Sequence, residues 1–294
     1  MTSLVDRLFV KYSSKFSALR RVPGLGAVTH RLSHRLLPPD RRVWVRVRKG
    51  VGQGLWLKLY PRTAQMFCDG ELEPDLQEVL AKHLRPGMVF YDLGANVGFL
   101  SLLAARLVGA KGKVFSFEAD PEVAERLKEN VEKNGLQNVR LVQKAVWSST
   151  GSVAFRRADE SRSPDRAWGK VVSLPAPAER TVEVPCICLD DFAQSAPAPD
   201  FIKCDVEGAE SEVFAGAQRV LVEHRPLVAC EVHSDENAAQ VTQLFDKMRY
   251  SVNWFTRIAF LASAQDPPRN KERLGSTIRS SIQDATVSGP GPVR

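Results

Sequence analysis

The stretch Val89-Phe90-Tyr91-Asp92-Leu93-Gly94-Ala95-Asn96-Val97-Gly98-Phe99-Leu100-Ser101 constrains this chain more than any other. It reads as a buried β-strand, a tight turn with glycines four residues apart, and an apolar helix. A strand that delivers an acid and a glycine turn to a helix N-terminus builds a nucleotide-sized crevice in α/β proteins. Glycine at 94 and 98 permits positive φ and lets a ligand come closer to the backbone than a Cβ would allow. A second apolar strand, 113–118, ends in Glu118 roughly twenty residues after the loop, where an acid accepts hydrogen bonds from ribose hydroxyls. The next helix already has its N-cap in Asp120, just before Pro121.

A dinucleotide fits this loop poorly. The dinucleotide fingerprint needs a middle glycine where Asn96 stands, and Asp92 would repel a pyrophosphate while suiting a cation. Asp92-Leu93-Gly94-Ala95-Asn96-x-Gly98 resembles motif I of the class I S-adenosylmethionine (SAM) methyltransferases. That resemblance implies that Asp92, Gly94, Ala95, Asn96 and Gly98 surround the methionine end of SAM, which carries an ammonium and a sulfonium.

The rest of the chain follows the alternation such a crevice needs. Helix 97–108, strand 113–118, helix 121–134, strand 139–144, strand 200–205, helix 209–222, strand 226–232 and helix 235–248 succeed one another, with two last strands near 250–256 and 258–262. This predicts an α/β, Rossmann-like fold of three layers around a mostly parallel seven-stranded sheet with right-handed crossovers. Extra strands are expected at 152–156 and 181–188, around a polar insert that contains Trp168. Alternating Arg42–Val47 and Gly54–Tyr60 predict a β-hairpin over 42–60, with a helix to follow from about Pro74 to Leu84. The organisation expected is a basic arm at 1–41, the hairpin at 42–60, the main domain at 61–263, and a disordered tail at 264–294 that holds Asp266-Pro267-Pro268 and Gly289-Pro290-Gly291-Pro292.

Charge separates the arm from the body. Residues 1–50 hold twelve Lys and Arg against two Asp, which leaves 29 basic and 32 acidic residues for the remainder. Leu4, Val5, Leu8, Tyr12, Phe16 and Leu19 recur at helical spacing between Arg7, Lys11, Lys15 and Arg20. Such a helix either packs on its own domain with a solvated basic face or lies peripherally on an anionic membrane. The arm lacks the interleaved aromatics of single-strand nucleic-acid binders. No apolar run reaches membrane length, no continuous hydrophobic region opens the chain, and Cys204 and Cys230 fall in core strands, a pattern that predicts a cytoplasmic protein.

The second half of the site lies at two further strand ends, Phe201-Ile202-Lys203-Cys204-Asp205-Val206-Glu207-Gly208-Ala209-Glu210 and Leu227-Val228-Ala229-Cys230-Glu231-Val232-His233. Apolar strands ending in clustered ionisable groups place those groups beside the ligand crevice, paired or at work. Together with Phe117-Glu118-Ala119-Asp120-Pro121, Leu189-Asp190-Asp191-Phe192 and Gly70-x-x-Glu73-Pro74, these segments resemble the FkbM-type methyltransferases from about Gly70 to Tyr250. The resemblance implies O-methylation of a hydroxyl on a small metabolite, sugar or lipid-linked acceptor, and it sets Glu73 among the cofactor-binding residues. Trp147, after Lys144-Ala145-Val146, is expected either to border the adenine or to belong to the core, with Ala145 on the cofactor wall.

Methyl transfer to oxygen requires alignment of the two reacting atoms and removal of the hydroxyl proton. His233 has the intrinsic pKa of a neutral-pH base, with Glu231 on the same strand face to pair with it. Asp205 is the alternative base. Lys203 is expected to balance Asp205 and Glu207, and Glu207 to accept from substrate hydroxyls or to cap the helix that starts near Gly208. Mg²⁺ held by Asp205, Glu207 and His233 is disfavoured, because a hard cation prefers oxygen ligands. An Asn/Asp-Pro-Pro-Tyr motif is missing after the fourth core strand, which argues against base methylation. An NAD-dependent oxidoreductase and a non-catalytic methyltransferase-like module that binds a membrane or partner remain the alternatives.

Overall fold

The computed structural model describes residues 42–61, 63–158, 169–172 and 179–265. The basic arm, Trp168 and all of the tail beyond Gln265 lie outside the described residues. In chain order the elements are β1 (Val43–Arg46), β2 (Trp56–Leu59), α1 (Ala64–Cys68), α2 (Pro74–His83), β3 (Val89–Leu93), α3 (Phe99–Val108), β4 (Lys113–Phe117), α4 (Pro121–Lys133) and β5 (Val139–Val142). They continue with β6 (Ala145–Val146), β7 (Gly151–Arg156), β8 (Lys170–Val171), β9 (Thr181–Ile187), α5 (Leu189–Phe192), β10 (Phe201–Cys204), α6 (Glu210–Ala215) and α7 (Gln218–His224). Strand β11 (Leu227–Glu231), α8 (Asp235–Lys247), β12 (Tyr250–Trp254) and β13 (Ala259–Ala264) complete the series.

Seven strands form the main sheet in the order β12-β13-β11-β10-β3-β4-β5, with β13 alone antiparallel to its neighbours. This is the α/β Rossmann-like sheet expected from the alternation, and the order reverses between β3 and β10, where ligands bind in open parallel sheets. Both faces of the sheet are covered, which is why its strands read as nearly unbroken apolar runs. Phe90, Phe201 and Ala229 pack toward the hairpin and α3, whereas Tyr91, Leu93, Ile202, Cys204, Val228 and Cys230 pack against α6, α7 and α8. The segments expected as extra strands pair antiparallel as β7 and β9, within a separate four-stranded sheet of order β6-β9-β7-β8.

The N-terminal hairpin β1–β2 turns Val43, Val45, Leu57 and Leu59 inward. Its β2 edge is closed by side chains instead of a third strand. Asn134 accepts from the Trp56 amide at 2.9 Å and donates to the Trp56 carbonyl at 2.7 Å. Asn130, fully buried, accepts from the Lys58 amide and donates to the Val97 carbonyl, both at 2.8 Å. Asn130 and the C-cap Asn134, at the end of α4, thus stand in for a β-ladder and tie the hairpin to the glycine loop. Asn130→Leu leaves a buried amide and a buried carbonyl unpaired, so it should destabilise the protein by about 2–4 kcal/mol. Urea denaturation checks this, and an unchanged midpoint would remove Asn130 from the account.

The helix expected over 209–222 is two helices. A Cβ on Gly216 would lie 2.5 Å from the Trp147 carbonyl oxygen, so the chain approaches too closely there for a continuous, substituted helix. Asp190 restarts the helix from a distance, accepting from the amides of Arg219 (3.0 Å) and Val220 (2.9 Å). Asp190, one of the motif acids, therefore acts as a cap. All five cysteines are buried and unpaired.

Candidate active site

The C-terminal ends of β3, β4, β10 and β11 converge on one crevice. Its first cavity is lined by Gly94, Asn96, Phe117, Glu118, Lys144, Ala145, Val146, Phe155, Asp205 and Glu207, among others. Glu118 is 9% exposed and anchors this wall: its two oxygens accept from the amides of Asn96 and Asp120, each at 2.8 Å. A carboxylate has about four lone-pair sites, so each oxygen keeps one free for a hydroxyl. Burial pushes Glu118 up to about 7 against the pull of those two amides. Asn96 sits in the left-handed region at φ 50°, and its Oδ1 is buried without a hydrogen-bond partner. The cavity therefore offers an acid for a ribose and an unfilled acceptor beside it. Trp147 is half-buried against the small sheet and does not line this cavity.

The structure gives the loop glycines a different task from the one expected of them. A Cβ on Gly94 would sit 1.8 Å from the Asp205 carbonyl oxygen, and one on Gly98 would sit 2.8 Å from Leu127 Cγ. The close approach is between pieces of this chain: Gly94 admits the β10 loop and Gly98 admits α4. Ala95 is buried, and neither it nor Gly98 lines the cavity.

Asp92 is also relocated. It is fully buried and lies on neither cavity wall. Ser116, Asp92 and Lys203 are neighbours in register across β4, β3 and β10, and they form a polar stripe through the apolar face. Ser116 Oγ donates to Ser101 Oγ at 2.7 Å, and Ser101 Oγ donates to Asp92 Oδ2 at 2.5 Å. The cation that Asp92 faces is Lys203, whose Nζ lies 3.4 Å from Asp92 Oδ1 and 3.7 Å from Asp205 Oδ2. Lys203 Nζ also donates to the Gly94 carbonyl at 2.9 Å. Burial alone would lower the Lys203 pKa, but Asp92, Asp205 and Glu73 together raise it, so the lysine stays charged. It balances Asp92 and Asp205, and not Glu207 as the sequence suggested. Ser101 and Ser116 escaped the sequence reading because a serine in an apolar run carries no motif.

His233 sits at the centre of the other strand-end groups. Its Nδ1 is 3.0 Å from Glu210 Oε1, and its Nε2 is 3.4 Å from Glu207 Oε2, 3.5 Å from Asp205 Oδ1 and 3.7 Å from Glu231 Oε1. Burial alone would lower the imidazole pKa, but the Glu210 hydrogen bond and the charges of Asp205 and Glu207 outweigh it and raise it to about 9. Glu210, Asp205 and Glu207 thus favour the charged ring, which weighs against His233 as a neutral-pH base. Burial pushes Glu207 up to about 7 against the pull of His233, and it raises Glu231 as well. Neither Asp205 nor Glu207 makes a capping hydrogen bond to α6.

Atoms of Asp205, Glu231 and His233 lie within 4.8 Å of one another, close enough to converge on one cation. His233 Nδ1 is bonded to Glu210, which leaves Nε2 to face the other carboxylates.

A second cavity, of about 430 Å³, opens on the other side of Asp205. Its walls include Glu73, Asp75, Leu76, Glu231, Phe255, Thr256, Arg257 and Ile258. Glu73 thus lies on this wall and not beside the first cavity; its Oε2 is buried and unpartnered, and burial raises its pKa to about 7. The size falls in the ordinary range for small-molecule sites. The hairpin turn at 255–258 that closes it was not anticipated as part of the site.

Residues 92–253 match the methyltransferase FkbM domain family. The chain belongs to this family. It is 28% identical over 181 residues to the hexuronic acid methyltransferase AglP of Haloferax volcanii, covering 61% of this chain and 70% of AglP. Against the 2-O-methyltransferase NoeI of Sinorhizobium fredii it is 27% identical over 196 residues, covering 59% and 76%. Among solved structures, the FkbM methyltransferase of Methylobacillus flagellatus aligns with a TM-score of 0.44 and 16% identity, over 88% of this chain and 60% of that one. The chain is a SAM-dependent methyltransferase, which sets aside the oxidoreductase and non-catalytic alternatives. Among the described residues, no helix is long and apolar enough to cross a membrane.

Proposed function

We propose that this methyltransferase transfers the methyl group of SAM to a hydroxyl of a sugar-type acceptor, with Asp205 as the proton acceptor. The observation that carries this reading is that, among the described residues, Asp205 alone of the ionisable side chains lines both cavities. Donor and acceptor can then meet over one carboxylate, whose Oδ1 is buried and has no hydrogen-bond partner.

SAM supplies a methyl group on a positively charged sulfur. Glu118 is suited to hold the ribose hydroxyls, Asn96 Oδ1 to accept from a nearby donor, and Ala145 and Phe155 to flank the adenine. In the second cavity Asp205 takes the hydroxyl proton as the acceptor oxygen bonds to carbon, and the electron pair of the broken carbon–sulfur bond stays with sulfur. Lys203 and the imidazolium of His233 offset the negative charge gathered there. The His233 ring itself stands among Asp205, Glu207 and Glu231, and on this reading transfer proceeds without Mg²⁺.

A sugar-type acceptor is favoured by the family relative named for a hexuronic acid. Arg257 agrees with such an acceptor. It lines the rim of the second cavity, and among the described residues its guanidinium makes no ion pair or hydrogen bond, which suits a uronic acid carboxylate.

The test is mass spectrometry of uronic acids and neutral sugars incubated with labelled SAM, the protein and EDTA. Methylated sugar is expected, and labelled product only when Mg²⁺ is restored would sink the metal-free reading. Glu118→Ala should weaken SAM binding by roughly 10- to 100-fold, the worth of a charge-assisted hydrogen-bond pair. Calorimetry checks it, and unchanged affinity would remove Glu118 from the ribose.

A further inference from the structure

Of the described side chains that line the second cavity, two carry a buried oxygen without a hydrogen-bond partner, Asp205 Oδ1 and Glu73 Oε2. Asp205 faces the reacting hydroxyl in the proposed transfer, whereas Glu73 has no task in it. Glu73 is the N-cap of α2, yet its carboxylate makes no capping bond. It holds φ 44° immediately before Pro74, where an L side chain is strained and extended backbone is the preferred state. The loop that presents it is pinned by Gln77, 2% exposed, whose Nε2 donates to the carbonyls of Gly70 and Leu72. The chain thus holds, on a strained backbone, a carboxylate oxygen that bonds nothing in the fold. Strain of this kind collects at ligand clamps.

We propose that Glu73 is a specificity-determining residue that bonds a second hydroxyl of the acceptor, next to the hydroxyl that gives its proton to Asp205. The inference rests on the reading of the second cavity as the place of a sugar-type acceptor. Other polar groups of this wall are engaged or peripheral. Thr256 Oγ1 accepts from the amides of Ile258 at 3.2 Å and Ala259 at 2.8 Å, Glu231 Oε1 lies 3.7 Å from His233 Nε2, and Asp75 is exposed. Leu76, Ala229, Cys230, Phe255 and Ile258 make much of the remainder apolar. A pocket of this kind orients its ligand through the few polar groups it places. A hydroxyl both donates and accepts, so Glu73 Oε2 can bond one whether or not the carboxyl carries a proton. That bond selects which ring oxygen meets Asp205. An acceptor without the second hydroxyl leaves the buried oxygen unpaired and is rejected for that reason.

The experiment uses the full chain and methyl glycosides of uronic acids and of neutral hexoses, each with analogues that lack one hydroxyl. In the wild-type protein one deoxy analogue should lose about 10- to 100-fold in kcat/KM, the worth of a hydrogen bond to a carboxylate. Glu73→Gly removes the carboxylate and suits the positive φ. It should lose a similar factor on the intact sugar and almost nothing further on the analogue, while SAM affinity by calorimetry stays within about twofold. Glu73→Gln keeps an acceptor oxygen, and its discrimination should shrink by about threefold or more. An intact ratio of sugar to analogue in Glu73→Gln overturns the inference even if Glu73→Gly does not fold, and so does a wild-type protein indifferent to every deoxy analogue. If Glu73 served only as a counter-charge to Lys203, its loss would slow all acceptors alike and leave the ratio unmoved, which also overturns it. A loss confined to SAM affinity overturns it too, by moving the carboxylate to the ammonium of the donor. In each of these cases the sugar-type reading stands as long as the wild-type protein methylates the glycosides. If it methylates none of them, that reading falls and the role of Glu73 falls with it.

Discussion

Asp205→Asn should lower kcat for methyl transfer by about 100- to 10,000-fold, the usual worth of a positioned general base. The amide keeps the shape of the side chain and its place between the two cavities, but it has no basic oxygen for the hydroxyl proton. SAM affinity should change little, because in the proposed reading Glu118 and Asn96 hold the other end of that ligand. The contrast is what the measurement reads: kcat from labelled-SAM turnover, and affinity from calorimetry on the same preparation. A kcat within about threefold of wild type would exclude Asp205 as the base. His233→Gln should behave differently, retaining part of its activity with an altered pH profile, because the ring acts on the charge state of its neighbours.

Gly94→Ala is expected to have the largest effect on stability. Its Cβ would meet the Asp205 carbonyl oxygen at 1.8 Å, and no rotamer change can move a backbone atom out of the way. The residue is also at φ 74°, where an L side chain costs about 1–2 kcal/mol before any clash is counted. Adding an overpacking cost of about 1–3 kcal/mol gives an expected destabilisation of about 2–5 kcal/mol. Relief requires the β3 and β10 loops to separate, which pulls Lys203 from the Gly94 carbonyl and displaces Asp205 from the wall between the cavities. The variant should therefore lose methyl transfer as well as stability. Urea denaturation and turnover check the pair, and a variant as stable as wild type would show that the loops tolerate separation.

Both positions lie where sequence pattern stops being informative. The alternation of apolar strand and amphipathic helix was enough for the sheet, because a strand buried on both faces has to be written as an apolar run. The acids at strand ends stood out for the same reason, and Asp205, Glu207, Glu231, Lys203 and His233 do come together in one cluster. Glu118 lies where its distance from the loop placed it. What the pattern did not contain was direction. Asp92 and Gly94 belong to one motif two residues apart, yet Asp92 points into the polar stripe with Ser101 and Lys203, and Gly94 lines the first cavity. Gly216 broke a helix whose periodicity looked continuous, because the obstacle is the backbone of residues 147–148, far away in sequence.

The sequence by itself determined the layered α/β architecture, the crevice at the strand ends and the family, since each rests on local periodicity or on a motif of adjacent residues. Only the tertiary structure decided which of the gathered acids line the cavities and which of them surround His233. A pKa depends on every charge within a few ångströms, and those charges arrive from β10, β11 and α6. His233 looks like a base when read alone; Glu210, buried 23 residues earlier in the chain, lies 3.0 Å from its Nδ1 and favours the charged ring.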